Sequence, residues 1–490
     1  MKDWKIFLCL TLFVTVVLFF VSPDSYTHLL YNRVDSAIFY TSGKAWMNGL
    51  TPYIDFADSK GLLLWLIYGL GYLLSPLDYT GVFWISCAWY ALTYWLVYKT
   101  SFLFLQDKRL SFICTICMTL AFFNSWYHYE VRSEDFCLLF VMLSLYSTSV
   151  VLYTDNVNSK RLKHHFFLLG VVEILLVMIK FNIAVMNGIF ILYSLYHTYR
   201  QSGRSFIRQF LPLSIGAVVA VLPFLLYLIS TNTFLPFIDE YFINTTKTVS
   251  YDNNYLRLFK SIIKFILTPD LIAMFIFTTL GCISFYNRLP RYRMFPFITF
   301  FVFVFIANYR AHIYYYTICA PFFVWSCMAL CFRYKQRLST GTAYILLLSV
   351  LSYTVLANWV SPKGDFRPNL FFCHNQERVD YENMTKIMQQ VNSPTIIYLN
   401  TMDTGIGVPA GVMPGSRYWT LQNGATSEMR RQSEEDVRKG ISDFVLLLSQ
   451  QTSLTEDSLN TFGYTKVYEM SYLGADAALY SKHPVTLPTY

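Results

Sequence analysis

Three aspartates and two lysines crowd a single polar stretch of an otherwise greasy chain: Asp35, Asp55, Asp58, Lys44 and Lys60. Charge beside a membrane is costly and usually has a partner or a task. A second acidic pair, Glu134-Asp135, follows Arg132 at the foot of an apolar segment. Lys180 stands between two apolar segments, and Arg310 and His312 begin the aromatic run YRAHIYYY. Carboxylates suit abstraction of a proton from a hydroxyl, and cations suit an anionic leaving group. Transfer of a sugar from a lipid phosphate uses both. The acceptor hydroxyl loses its proton to a carboxylate as it attacks the anomeric carbon. The lipid phosphate leaves as a stable anion and needs no general acid.

On this reading Asp35 is the candidate base, and Glu134 and Asp135 are further candidate catalytic carboxylates. Lys60, Arg132, Lys180, Arg310 and His312 are the candidate donor phosphate-binding groups. Each has a plainer reading. Asp35 opens a helical pattern in which Ile38, Phe39, Ala45 and Trp46 share a face and Gly49 ends the helix, so Asp35 is also placed to be an N-cap. Glu134 and Asp135 would cap a helix starting at Phe136. Lys180 would snorkel to the interface, and His312 and its tyrosines would belong to an aromatic belt. Two acids without further ligands at defined spacing indicate no metal, although paired acids are compatible with a divalent ion. No cofactor is indicated.

The elements that position these residues are apolar. Of 490 residues, 55% are hydrophobic and only 14% charged, against about 25% charged in a soluble domain. The apolar residues come in blocks near the ~20 residues that cross a bilayer. Spans are expected at 4–22, 79–98, 110–124, 136–153, 165–180, 182–199, 209–230, 269–286, 294–308, 313–332 and 340–360, about eleven in all. The stretch 62–75 is apolar but short and reads as a re-entrant or interfacial piece. Basic residues fill alternate short loops, such as Lys160, Arg161 and Lys163, or Arg200, Arg204 and Arg208. The positive-inside rule then puts the N-terminus in the cytoplasm. The loop 23–61, the turn 126–135, Lys180, the loop 231–268 and Tyr309–Tyr316 fall outside. The net charge of +8 is explained by those cytoplasmic loops, and no nucleic-acid partner is implied. Arg257, Lys260 and Lys264 recur at helical spacing, as in an interfacial helix that meets anionic lipid.

Nine of the ten cysteines lie in apolar blocks, and Cys114-x-x-Cys117 reads as packing thiols. Only Cys373 lies in the polar C-terminal part. After Val360 the composition shifts, and residues 361–490 suffice for one small α/β extracytoplasmic domain. Within it Gln376–Asn392 reads as a helix. Pro394–Leu399, Phe444–Leu448, Lys466–Met470 and Ala477–Ser481 read as strands. Thr401–Gly415 is a glycine- and proline-rich loop without a nucleotide fingerprint.

Asp35-Ser-Ala-Ile-Phe39, Gly49-Leu-Thr-Pro-Tyr-Ile-Asp-Phe56 and Asp58-Ser-Lys-Gly61 resemble the first outer loop of GT-C glycosyltransferases, in the protein O-mannosyltransferase-like and aminoarabinose-transferase-like branch common in bacteria. The turn Arg132-Ser-Glu-Asp-Phe136 is similar to that family's second outer loop. His312 and the tyrosines up to Pro321 look like its late H-Y-Y…P segment. One departure is Lys60-Gly61-Leu62, where many relatives carry a proline. The resemblance covers about residues 1–360 as a GT-C-like transmembrane catalytic domain, with 23–61 as first outer loop. It implies a polyprenyl-phosphate sugar donor, an inverting hexosyl or pentosyl transfer, Asp35 as base or key acid, and Tyr53, Asp55 and Asp58 in a substrate loop.

The expected protein is thus a polytopic α-helical membrane glycosyltransferase of the bacterial inner membrane, with its C-terminal domain periplasmic or extracellular. It would move a sugar to a glycan, lipid or protein acceptor, surrounded by membrane lipids. The alternatives are a polymerase or ligase of undecaprenyl-diphosphate-linked glycans, and a lipid or glycan transporter. A transporter predicts charge deep within spans, whereas here Glu173 is the main such residue.

Overall fold

The computed structural model describes residues 2–22, 24–25, 34–123, 131–154, 156, 159–250, 260, 262–263, 265–286, 294–308, 313–335, 340–359, 376–399, 401–420, 425–448, 454–472 and 475–486. The chain is mainly helical, with apolar helices and a small C-terminal sheet domain. Among the described residues four helical runs are long and apolar enough to cross a membrane: Asp3–Val21, Ser133–Tyr153, Lys160–Ser230 and Tyr314–Arg333. Packing divides the chain into two compact units. One comprises Met1–Ser22, Ser86–Phe224 and Asn254–Phe366; the other comprises Pro23–Ile85, Leu225–Asn253 and Arg367–Tyr490. The C-terminal segment shares its unit with the first polar loop and with residues 225–253.

The first unit is built from helices: α1 (Asp3–Val21), most of α4 (Thr80–Leu105), α5 (Lys108–Cys117), α6 (Thr119–Phe122), α7 (Ser133–Tyr153), α8 (Lys160–Ser202) and the start of α9 (Phe210–Ser230). The later helices Pro269–Tyr286, Phe295–Asn308, Val324–Arg333 and Thr340–Trp359 and the 3-10 segment Ile313–Phe323 also belong to it. The helical run α8 is broken at Lys180, whose φ of −157° and ψ of 98° are those of extended chain. Asn187 Nδ2 donates to Glu173 Oε2 at 2.8 Å, although the two are 14 residues apart. In a straight helix that separation is about 21 Å. The chain therefore reverses at Lys180, and α8 is a hairpin of two helices, as the two expected spans 165–180 and 182–199 require. The Cys114 thiol is buried and accepts from Ser101 Oγ at 3.2 Å, and Cys117 is half-buried; Cys373 lies outside the described residues.

The second unit begins with α2 (Asp35–Met47) and α3 (Leu62–Leu74). At 13 residues, α3 is about 20 Å long, too short to cross the ~30 Å hydrocarbon core. The two helices meet backbone to backbone: a Cβ on Gly43 would lie 2.5 Å from the Gly69 nitrogen. The helix α2 stops where Gly49, at φ +93°, supplies the left-handed residue after the C-cap Asn48. One expectation fails here. Asp35 is the first helical residue, Val34 holds the N-cap position, and no side chain caps the helix. The 3.6-residue pattern marks a helix start only to within a residue or so.

The C-terminal part of this unit is a five-stranded mixed sheet, ordered β2-β1-β3-β5-β4. The strands are β1 (Thr395–Leu399), β2 (Met413–Pro414), β3 (Phe444–Leu448), β4 (Thr465–Tyr472) and β5 (Ala475–Ser481). β2, β1 and β3 run parallel, and β5 pairs antiparallel with β3 and β4. Ile397, Leu399, Val445, Leu447 and Tyr480 from one sheet face meet Val437, Leu454 and Leu459 in a core. The four expected strands and the helix Gln376–Met388 are present. The short β2 and the helices Ser427–Arg438 and Glu456–Thr461 were not expected; Ser427–Arg438 is so polar that Met429 and Val437 are its only apolar residues, although its buried positions do recur at helical spacing.

Candidate active site

In the first unit, four of the candidate residues converge on the start of α7. Glu134 and Asp135 occupy its first turn, where the positive end of the helix dipole favours carboxylates. Asp135 ties that turn down: its Oδ2 accepts from the backbone N–H of Arg132 at 2.8 Å and its Oδ1 from the Tyr90 hydroxyl at 2.9 Å. Trp89, beside Tyr90 on α4, donates its indole N–H to the Phe136 carbonyl at 2.9 Å. Glu134 points to the hairpin. Its Oε1 pairs with Lys180 Nζ, and its Oε2 accepts from Ser133 Oγ at 2.9 Å. The pair is nearly dry, with side-chain exposures of 1% for Glu134 and 14% for Lys180.

The two cations also rest on aromatic faces. The Arg132 guanidinium lies 4.3 Å from the Tyr314 ring centre, and Lys180 Nζ lies 4.5 Å from that of Tyr315. The two rings are 4.7 Å apart. Cations placed on adjacent rings in this way have the charge and the fixed geometry that suit an oxyanion. Both oxygens of Asp135 are taken up by fixing the helix start. Glu134 is engaged in holding Lys180.

The remaining described candidates belong to the second unit. Asp35 is half-buried in the first turn of α2, and among the described residues its carboxylate has no hydrogen-bond or ion-pair partner. Lys60 is half-buried, with Nζ 5.3 Å from the Phe39 ring centre and 3.4 Å from Ser59 Oγ. The segment Thr51–Asp58 is a closed turn. Tyr53, at φ +67°, is wholly buried between Trp65 and Phe237, and its hydroxyl donates to the Lys60 carbonyl at 2.8 Å. Asp55 Oδ2 accepts from the Thr51 N–H, and Asp58 Oδ1 from the Ser59 N–H, each at 2.6 Å. This turn shapes the chain ahead of α3, with its aspartates spent on local backbone.

Arg310, His312, Arg257 and Lys264 lie outside the described residues, as do residues 126–130 of the turn 126–135; Lys260 is exposed on a helix. Several polar partners escaped the sequence reading. Tyr90 was one tyrosine among 38. Tyr314 and Tyr315 read as belt residues. Glu240 is buried in the π-helical segment Ile238–Asn244, where it accepts from Arg417 Nη2 at 2.6 Å and from the Tyr418 hydroxyl. The adjacent acids Asp239 and Glu240 in the aromatic stretch FIDEYF were the available signal. No metal-capable group of His, Cys, Asp and Glu occurs among the described residues.

Neither a protein-family model nor a curated protein matches the sequence. Solved structures do match. ArnT from Cupriavidus metallidurans, solved bound to undecaprenyl phosphate, superposes with a TM-score of 0.62 at 12% identity, over 99% of this chain and 98% of that one. The oligosaccharyltransferase AglB from Archaeoglobus fulgidus, solved with an inhibitory peptide and a dolichol-phosphate, gives a TM-score of 0.48 at 12% identity, over 97% of this chain and 74% of that one. The chain has the membrane fold of that ArnT structure.

Proposed function

We propose that this protein is a membrane glycosyltransferase that takes a sugar from a polyprenyl-phosphate donor and passes it, with inversion, to a glycan, lipid or protein acceptor. The observation that carries the reading is the pair of cations Arg132 and Lys180 on the adjacent rings of Tyr314 and Tyr315. Such a pair suits the phosphate of a lipid-linked donor and the charge that grows on it as the glycosidic bond breaks. The fold shared with a protein solved with undecaprenyl phosphate supports that donor class. Asp35 is the candidate base: a carboxylate at a helix start, without a hydrogen-bond or ion-pair partner among the described residues, able to take the acceptor's proton. Lys60 is a further candidate for the phosphate. The reaction is placed at the outer face of a bacterial inner membrane, with the C-terminal domain on that side and no metal in the chemistry.

The test is transfer of tritium from a panel of undecaprenyl-phosphate hexoses and pentoses by purified protein, with membrane extract as acceptor source. Wild type, Asp35→Asn and Lys180→Met are compared. Transfer by wild type and a loss of about 100-fold or more in Asp35→Asn are expected. Equal activity in Asp35→Asn removes the base assignment. Activity only from diphosphate-linked oligosaccharides identifies a polymerase or ligase instead.

A further inference from the structure

The segment Thr401–Gly415 follows the C-terminal end of β1 and includes the edge strand β2, and it is also bound to α2. Thr41 Oγ1 donates to Asp403 Oδ2 at 3.0 Å, and Lys44 Nζ donates to the Val412 carbonyl at 3.1 Å. All four residues are buried. The loop is itself held in one shape. Asp403 Oδ1 accepts from the Gly405 N–H at 2.8 Å, and the Asp403 N–H donates to Thr420 Oγ1 at 2.9 Å. The Val412 N–H donates to the Gly407 carbonyl at 3.0 Å. Gly411 adopts φ +73°, and a Cβ there would sit 3.4 Å from Lys44 Nζ. A charged side chain taken out of water is costly unless it is hydrogen-bonded, and the hydrogen bond of the buried Lys44 ties α2 to the Val412 carbonyl. Thr41 and Lys44 lie three residues apart, on one face of a helix, and that helix begins at Asp35.

We infer that the Thr401–Gly415 loop is the positioning element for α2, and that Thr41, Lys44 and Asp403 are positioning residues which fix Asp35 for catalysis. This rests on the reading of Asp35 as base. It gives the C-terminal domain a part in the chemistry itself. A base must lie within about 3 Å of the proton it takes, and a misplacement of ~1 Å costs on the order of 100-fold in rate. A helix held at one face by two buried hydrogen bonds keeps its first residue in register. Released from them, α2 retains α3 as a neighbour, so the fold survives while the placement of Asp35 loosens.

The experiment uses the full-length protein in detergent, with Thr41→Val, Thr41→Ser, Lys44→Met and Asp35→Asn, singly and with Thr41→Val and Asp35→Asn combined. Two quantities are read: hydrogen exchange of the α2 amides, and kcat and KM for transfer from the tritiated undecaprenyl-phosphate sugar used above. Thr41→Val and Lys44→Met are expected to speed α2 exchange at least tenfold and to lower kcat by 10- to 100-fold with donor KM nearly unchanged. Thr41→Ser, which keeps the hydroxyl, should restore both. The double variant should be no slower than Asp35→Asn alone. Unchanged α2 exchange in both loop-contact variants overturns the inference. So does wild-type kcat in both while Asp35→Asn is inactive, and so does a loss that multiplies in the double variant. Full activity in Asp35→Asn is the separate result that overturns the base reading and this inference with it.

Discussion

Lys180 breaks a helix and pairs, across 46 residues of sequence, with Glu134 in the first turn of another. The hairpin exists at that point because one residue leaves the helical conformation, and the ion pair fixes where the break sits against α7. Removing one partner of a pair this buried costs about 3–5 kcal/mol, whereas removing both costs far less. Lys180→Met and Glu134→Gln should therefore each lower Tm in detergent strongly, and the double variant should recover much of it. If Lys180 served only the hairpin, the double variant would bind undecaprenyl phosphate as wild type does. The expected result is binding weakened at least tenfold in a protein of nearly normal Tm, measured by tryptophan quenching on titration with that lipid.

Asp135 is placed as a helix anchor. Its two oxygens meet the Arg132 N–H and the Tyr90 hydroxyl, so Asp135→Asn, which keeps an acceptor but loses the charge at the dipole's positive end, should cost about 1 kcal/mol. The expected kinetic result is a lowered Tm with kcat within about threefold of wild type, against the large loss in Asp35→Asn. A collapse of kcat at unchanged Tm would make Asp135 a reacting carboxylate.

How much of this could be read from residues follows distance along the chain. The break at Lys180 is legible because a lysine and an asparagine interrupt two apolar runs, and the strand Phe444–Leu448 because five apolar residues lie between polar turns. Even the shortness of α3 shows in its count of apolar residues. Asp35 as the first helical residue rather than the cap is a shift of one position, below what periodicity resolves. The contact of Lys44 with Val412 joins residues 368 apart, and nothing in either local sequence names the other. A carbonyl acceptor leaves no trace in side-chain type at all. Glu240 stayed hidden for the same reason, its partners Arg417 and Tyr418 being 177 and 178 residues away.

Burial gives the contact between α2 and its loop a pH signature. It depresses the Lys44 ammonium from 10.5 to about 8, with the Tyr72 ring at 5.9 Å and the Val412 carbonyl as its neighbours. Between those values the unfolded chain binds more protons than the folded one, so stability rises with pH from about 8 to 10.5. Burial also raises the Asp403 carboxyl from 3.8 to about 6, against the opposing hydrogen bonds from Gly405, Tyr398 and Thr41. There the folded chain holds the proton longer, so stability falls as pH rises from about 4 to 6 and is flat above. Each effect is on the order of 3 kcal/mol. Urea unfolding of the protein in detergent, followed from pH 4 to 10.5, should lose the alkaline rise in Lys44→Met and the acid-side fall in Asp403→Asn. An unaltered profile in either variant would assign that limb to other groups.

The glycine contact between α2 and α3 offers a way to move Asp35 without touching its chemistry. A Cβ at position 43 would lie 2.5 Å from the Gly69 nitrogen, 2.7 Å from the Trp65 carbonyl oxygen and 2.9 Å from the Tyr68 carbonyl carbon. All three are backbone atoms, so no side chain can turn aside and the helices must separate. Overpacking of this kind costs about 1–3 kcal/mol. Gly49→Ala is the contrasting case: nothing lies within 4 Å of its Cβ, but the residue is held at φ +93°. That substitution strains the end of α2 and leaves its packing alone. Gly43→Ala should therefore reduce kcat for sugar transfer by at least tenfold, while Gly49→Ala lowers Tm with kcat close to wild type. If the two variants lost activity in proportion to Tm, global stability and not the placement of α2 would govern the rate.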